Sequence, residues 1–180
     1  ESSLFRIRAR IKFLSGQEKE IKKDIENCVK KDVVLKNEID NICTISGIGK
    51  LTAVIILAET NGFELIRSKR QLTSYAGLDV KEKQSGTSIK GKPRISKNGN
   101  RHLRKAMHLP ALTAVRWDEN FRDLYARIVS KQGIKMKALI AVQRKLLEMV
   151  YTIFKNKCPY DKEYENKRME QKNSVPAQMA

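Results

Sequence analysis

Apolar residues recur at alternating steps of three and four along the first 42 positions. They run Leu4, Ile7, Ile11, Leu14, Ile21, Ile25, Cys28, Leu35, Ile39 and Ile42, with Glu18 and Asp32 in the same register. A stripe of that period, sustained over this length, admits little besides a long helix whose narrow apolar seam meets another helix. Lys and Glu fill the flanking positions, as a solvated helix face requires. Residues 1–43 therefore read as a coiled-coil or dimerisation helix. The two acids at seam positions weaken it and fix its register. A long amphipathic helix packed on its own domain would show a similar pattern. Ser15-Gly16 leaves a third arrangement open, a hairpin of two shorter helices with Ser15 as cap.

Helical signals continue to residue 157, so the fold class is mainly α: a long helix, then a compact helical domain over 44–157, then a polar tail over 158–180, expected to fray. A helix runs from Gly49 to about Thr60, and another from Lys69 to Ala76 with Ser68 as cap and Gly77 at its end. One from about Asn100 to Trp117 should kink at Pro110. A helix opens at Asp118 or Glu119 and stops at Gly133. The last, Lys135 to Lys155, carries Leu139, Val142, Leu146, Val150 and Ile153 on a core stripe. Strand signals are weak, apart from a short pairing within 79–97. No apolar run is long enough to span a bilayer, so no membrane span is expected, and the expected setting is cytoplasmic and nucleoid-associated. Three scattered Cys suit a reducing compartment, and two His without a Cys pair at ligand spacing disfavour zinc. Residue 1 is a Glu inside a helical pattern, as though the chain were part of a longer protein.

Charge is concentrated in one place. From Lys81 to Lys105 nine cations face the single acid Glu82, nearly half of the whole chain's net +17. The segment is rich in Gly, Ser, Pro and Asn, so its first part reads as a loop holding Gln84-Ser85-Gly86. Such a balance calls for a polyanion. Lys92, Arg94, Lys97, Arg101 and Arg104 are the candidate phosphate contacts, which position a backbone rather than read sequence. Cations at the start of a helix oppose its dipole, and a bound phosphate would remove the conflict. Ser85 is the candidate nucleophile in this field, although Ser-Gly is also a common turn dipeptide. Ser88 and Ser96 are weaker candidates, and Ser96 reads better as a cap for the Asn100 helix.

A second candidate lies upstream in Thr44-Ile45-Ser46-Gly47-Ile48-Gly49-Lys50-Leu51-Thr52. Gly-apolar-Gly between two helices resembles a helix-hairpin-helix turn. Gly47 and Gly49 would let the backbone approach a phosphate, and Ile48 would anchor the turn. Lys50 and Thr52 would add side-chain contacts at the next helix's N-terminus. A ligand-free corner between helices would use the same residues.

Four segments in order complete a family pattern. They are Thr44–Gly49; Tyr75-Ala76-Gly77-Leu78; Gln84-Ser85-Gly86 with Ile95-Ser96-Lys97-Asn98-Gly99-Asn100 and Leu103-Arg104; and Lys137-Ala138 through Arg144-Lys145-Leu146. Together they resemble the C-terminal transposase domain of bridge-RNA-guided insertion-sequence recombinases, the Piv/MooV-like enzymes. Asp79-Val80 departs from the pattern, which often has Pro at the second place. The resemblance implies a DNA recombinase or transposase with Ser85 as its nucleophile. Its expected partners are DNA, a guide RNA and further copies of the chain, as a homodimer or tetramer through the coiled coil. It also implies an upstream RuvC-like domain whose four carboxylates hold Mg2+, with no cofactor or metal held by residues 1–180 themselves. A non-catalytic helix-hairpin-helix DNA-binding module on a coiled coil is the alternative.

Overall fold

The computed structural model describes residues 2–81, 84–85, 89–90 and 94–164. The chain divides into two compact units, Glu1–Glu38 and Ile39–Ala180. The first is dominated by α1, Ser2–Lys31, which runs through Ser15-Gly16 without a break and buries no residue. The interruption left open at Ser15-Gly16 is absent, and a break comes later instead. Asp32 ends the helix, and its Oδ1 accepts the backbone N–H of Val34 at 2.9 Å and of Leu35 at 3.1 Å. A carboxylate that bonds its own chain's free N–H groups favours a new start, so α2 spans Val33–Cys43. Asp32 is thus a cap, not a seam position.

The second unit is built from helices, as the apolar patterning requires. Ile39 and Ile42 of α2 are buried in it. Next come α3, Lys50–Glu59, and α4, Lys69–Tyr75, where the Ser68 side chain accepts from the Gln71 N–H as expected. The single helix expected over 100–117 is two, α5 at Arg101–Ala106 and α6 at His108–Trp117, joined at Met107. The break comes before Pro110, which then sits in the first turn of α6, where a missing N–H is tolerated. Asp118 caps α7, Glu119–Gln132, through the Asn120 N–H, and Gly133 closes it in the left-handed region at φ 68°.

The centre is α8, Lys135–Asn156, which buries Ala138, Leu139, Val142, Leu146, Leu147, Val150 and Ile153. Beside it Phe63 meets Tyr151 edge-on at 5.4 Å and Phe154 at 5.0 Å. The first part of the tail is tied down rather than frayed: the Tyr160 N–H donates to Thr44 Oγ1 at 2.7 Å, and Asn120 Nδ2 donates to the Lys162 carbonyl at 3.0 Å. Among the described residues no helix is long and apolar enough to cross a membrane.

Candidate nucleic-acid interface

The basic segment forms a narrow antiparallel ribbon. At its base β1, Val80–Lys81, pairs with β4, Arg94–Ile95; further out β2, Gln84–Ser85, pairs with β3, Ile89–Lys90. The Ser85 backbone is opposite Ile89. The ladders differ by one residue in register, since three steps from Lys81 to Gln84 match four from Arg94 back to Lys90. Lys92 and Ser88 lie outside the described residues. The expected loop is therefore, where described, a paired ribbon whose alternating Val, Ile and Lys suit strand geometry better than a coil.

The ribbon's root is closely bonded. The Ser96 N–H donates to the Asp79 carbonyl at 2.8 Å, and the Ser96 hydroxyl donates to Asp79 Oδ1 at 2.5 Å. Ser96 Oγ also accepts from the Asn98 N–H at 3.3 Å. The Lys97 N–H reaches the Gly77 carbonyl at 3.1 Å, and the Asn100 N–H reaches the Tyr75 carbonyl at 2.6 Å. Here Gly99 is required. It sits at φ +146°, and a Cβ there would lie 2.3 Å from the Tyr75 carbonyl oxygen.

Asn100, not Ser96, caps α5: its Oδ1 accepts the Leu103 N–H at 2.9 Å. Its amide Nδ2 donates to Glu59 Oε2 at 2.6 Å, while the Tyr75 hydroxyl donates to the Glu59 carbonyl at 2.9 Å. The ends of α3, α4 and α5 thus meet where the ribbon begins. Sequence reading missed Asp79, Glu59 and Tyr75 in these roles. Asn100 just ahead of an apolar-periodic run carried a cap signal that Ser96 overshadowed.

The cations divide into two groups. Lys81, Arg94, Lys97, Arg101 and Lys105 are exposed. Among the described residues none of these is held in an ion pair. Arg104 is half-buried, and its guanidinium donates to the Ala76 carbonyl at 2.8 Å, so one of its donors closes the end of α4 rather than facing outward.

The upstream turn is anchored on another part of the domain. Gly47 has φ +95°, and a Cβ there would stand 2.5 Å from the Pro110 carbonyl oxygen and 3.0 Å from the Ala114 nitrogen. Its close approach is to α6, so the need for glycine is met inside the fold. Ile48 is buried, as an anchor should be, whereas Gly49 faces open space. Gly49 caps α3 with no side-chain hydrogen bond, Lys50 is exposed and Thr52 half-buried. Burial pushes the nearby Cys43 thiol up, with the Asp40 charge adding and the Lys50 charge opposing.

Among the described residues no three His, Cys, Asp or Glu side chains gather at ligand spacing. A cavity of about 770 Å³ lies instead between α7, α8 and the tail, lined by Phe121, Arg127, Met149, Ile153 and Tyr160 among others, with no ribbon residue.

Residues 39–126 match the family model described as Transposase IS116/IS110/IS902 family. The pilin gene-inverting protein of Moraxella bovis is 33% identical over 129 residues, covering 71% of this chain and 40% of that protein. Its counterpart from Moraxella lacunata is 34% identical over 122 residues, covering 67% of this chain and 38% of that one. An insertion element IS110 protein of Streptomyces coelicolor is 28% identical over 120 residues, covering 67% and 29%. The chain thus spans two fifths or less of the length of these relatives.

Proposed function

We propose that this chain, whose residues 39–126 match the IS116/IS110/IS902 transposase family, supplies the DNA-binding surface and the serine nucleophile of a strand-exchange reaction. The observation that carries the reading is the ribbon: Ser85 lies in its outer ladder, its base ladder carries the exposed Lys81 and Arg94, and the exposed Lys97, Arg101 and Lys105 follow in the chain. Phosphates would be drawn to that face by charge and counterion release. Ser85 Oγ would attack a phosphorus, forming an O–P bond as the bond to one strand's sugar oxygen breaks. The serine proton passes to solvent, and the departing oxygen leaves as a hydroxyl. A hydroxyl from another strand reverses the step and releases the serine. Bond type is conserved, so no external energy source enters.

The Mg2+ implied by the family pattern does not fit the described residues, which bring no ligand set together. We assign it to carboxylates outside this chain and derive no step through it. A guide RNA, bound through the same cations, belongs to the same proposal. A second copy of the chain is proposed to cover the α1 stripe, where Leu4, Ile7, Ile11 and Ile21 are each more than half exposed. The turn at Gly49, with the unbonded first N–H groups of α3, is proposed as a second phosphate contact.

The test is Ser85→Ala in the full-length protein with its nucleic acids. Strand cleavage should fall by at least about a thousandfold, as when a nucleophile is removed, and the denaturant-resistant protein–DNA adduct should vanish while DNA affinity holds. Undiminished cleavage would eliminate the assignment and favour a non-catalytic DNA-binding module.

A further inference from the structure

A nucleophile on a two-stranded ribbon is only as well placed as the ribbon's root. Asp79 is the last residue before the ribbon and Ser96 the first after it, and they are joined twice, once through the backbone at 2.8 Å and once through the side chains at 2.5 Å. The side-chain bond is unusual for its surroundings. A carboxylate amid Lys81, Arg94 and Lys97 would be expected to pair with a cation. Among the described residues it forms no ion pair and takes a neutral hydroxyl instead. As an anion beside the cations proposed to bind phosphate it would oppose binding, so affinity for DNA gives no reason for it. Ser96 extends the line by accepting from Asn98, while Lys97, at φ 55°, and Asn100 bond the carbonyls of Gly77 and Tyr75. Hydrogen bonds therefore hold the chain at successive positions from the root of the ribbon to the cap of α5, which is itself bonded to Glu59.

We propose that Asp79 is a positioning residue: through Ser96 it fixes the angle at which the ribbon leaves the helical domain, and so where Ser85 meets a bound phosphodiester. It touches no reacting atom. The inference rests on Ser85 being the nucleophile, and its test separates the two.

In the full-length protein, single-turnover cleavage at saturating DNA should fall about ten- to a hundredfold in Asp79→Ala, the scale of a small misplacement of a reacting group. DNA affinity should stay within about twofold or tighten, because a negative charge is lost. Asp79→Asn keeps an oxygen that accepts from Ser96 and should restore most of the rate. Ser96→Ala should match Asp79→Ala, still form the covalent adduct, and add nothing when the two are combined. Wild-type cleavage in Asp79→Ala would overturn the proposal. So would an Asp79→Asn as slow as Asp79→Ala, which would show that the charge matters rather than the bond. Loss of the adduct in Ser96→Ala would overturn it in favour of Ser96 as nucleophile. A readout independent of cleavage is amide exchange at Ser96 and Lys97 in this 180-residue chain. It should quicken at least about tenfold in Asp79→Ala and in Ser96→Ala, and much less in Asp79→Asn. If Ser85→Ala still cleaves while these amides respond as described, the nucleophile reading fails and the Asp79–Ser96 bond's hold on the ribbon root stands; if the amides do not respond, that hold fails. Should Asp79→Ala not fold, Asp79→Asn and Ser96→Ala carry the same comparison.

Discussion

Helices α1 and α8 carry the same kind of apolar pattern and meet opposite fates. Both repeat Ile, Leu or Val at steps of three and four. Helix α8 buries seven apolar residues along that stripe, and α1 buries none. The difference is in breadth. The α8 stripe is widened by adjacent pairs, Ala138-Leu139 and Leu146-Leu147, which spread it across an arc that several elements can cover. The α1 stripe is mostly one residue wide and interrupted by Glu18. Period fixes the helix; width and continuity decide what can cover it.

The largest effect should come from the covered stripe. Leu146→Ala removes a fully buried side chain and should cost about 2–5 kcal/mol in denaturant unfolding of the second unit. The same kind of truncation at Ile11, which is 58% exposed, should change that unfolding by no more than about 0.5 kcal/mol. A large loss at Ile11 would mean that the α1 stripe is covered within its own chain.

Next in size is the uncovered stripe. Ile7→Lys with Ile11→Lys should weaken self-association at least about tenfold in sedimentation equilibrium, since two apolar seam positions become charged. The unfolding of the second unit should not move. Unchanged association would remove the second copy as the partner of α1.

These two outcomes also mark what the sequence could convey. Helix existence, the Ser68 cap, the Gly133 stop and the α8 core were legible because each depends on near neighbours in the chain. Local signals were less decisive where two competed. Gly16 suggested a break that the helix absorbs, and Asp32, assigned to the seam, proved the stronger terminator because its carboxylate reaches two N–H groups. Pro110 foretold a kink, yet the chain breaks earlier and uses the proline in a first turn. The candidate site was legible as charge and as a hydroxyl. Its root was not, because Asp79–Ser96 and Glu59–Asn100 join residues 17 and 41 positions apart. Gly47 was read for a ligand, but its neighbour is the α6 backbone, which no local pattern announces.

The boundary at Asp32 sharpens the comparison on a smaller scale. Asp32→Ala should lower stability by about 1 kcal/mol, the usual worth of such a cap. The loss should appear as faster amide exchange at Val34 and Leu35. An unchanged pattern would mean that α1 and α2 can run on as one helix, restoring the unbroken seam suggested by the three-and-four spacing.

The smallest effect belongs to Glu18, the acid within the α1 stripe. The Lys22 ammonium hydrogen-bonds it at 2.5 Å one turn on, and that bond, then the lysine's charge, holds its carboxyl below the usual range. A carboxyl whose folded value is depressed stabilises the helix above its unfolded value and loses that contribution as pH falls through the folded one. The helical circular dichroism signal should therefore be slightly higher in the wild type than in Lys22→Gln near pH 6, and the gap should close as the solution is acidified below the usual carboxylate range. Both side chains are open to solvent, so about 1 M salt, with a screening length near 3 Å, should also shrink the gap at pH 6. A gap that resists both acid and salt would mean that Lys22 acts through its packed methylene stem instead, and a stem that packs needs something seated against this face of α1.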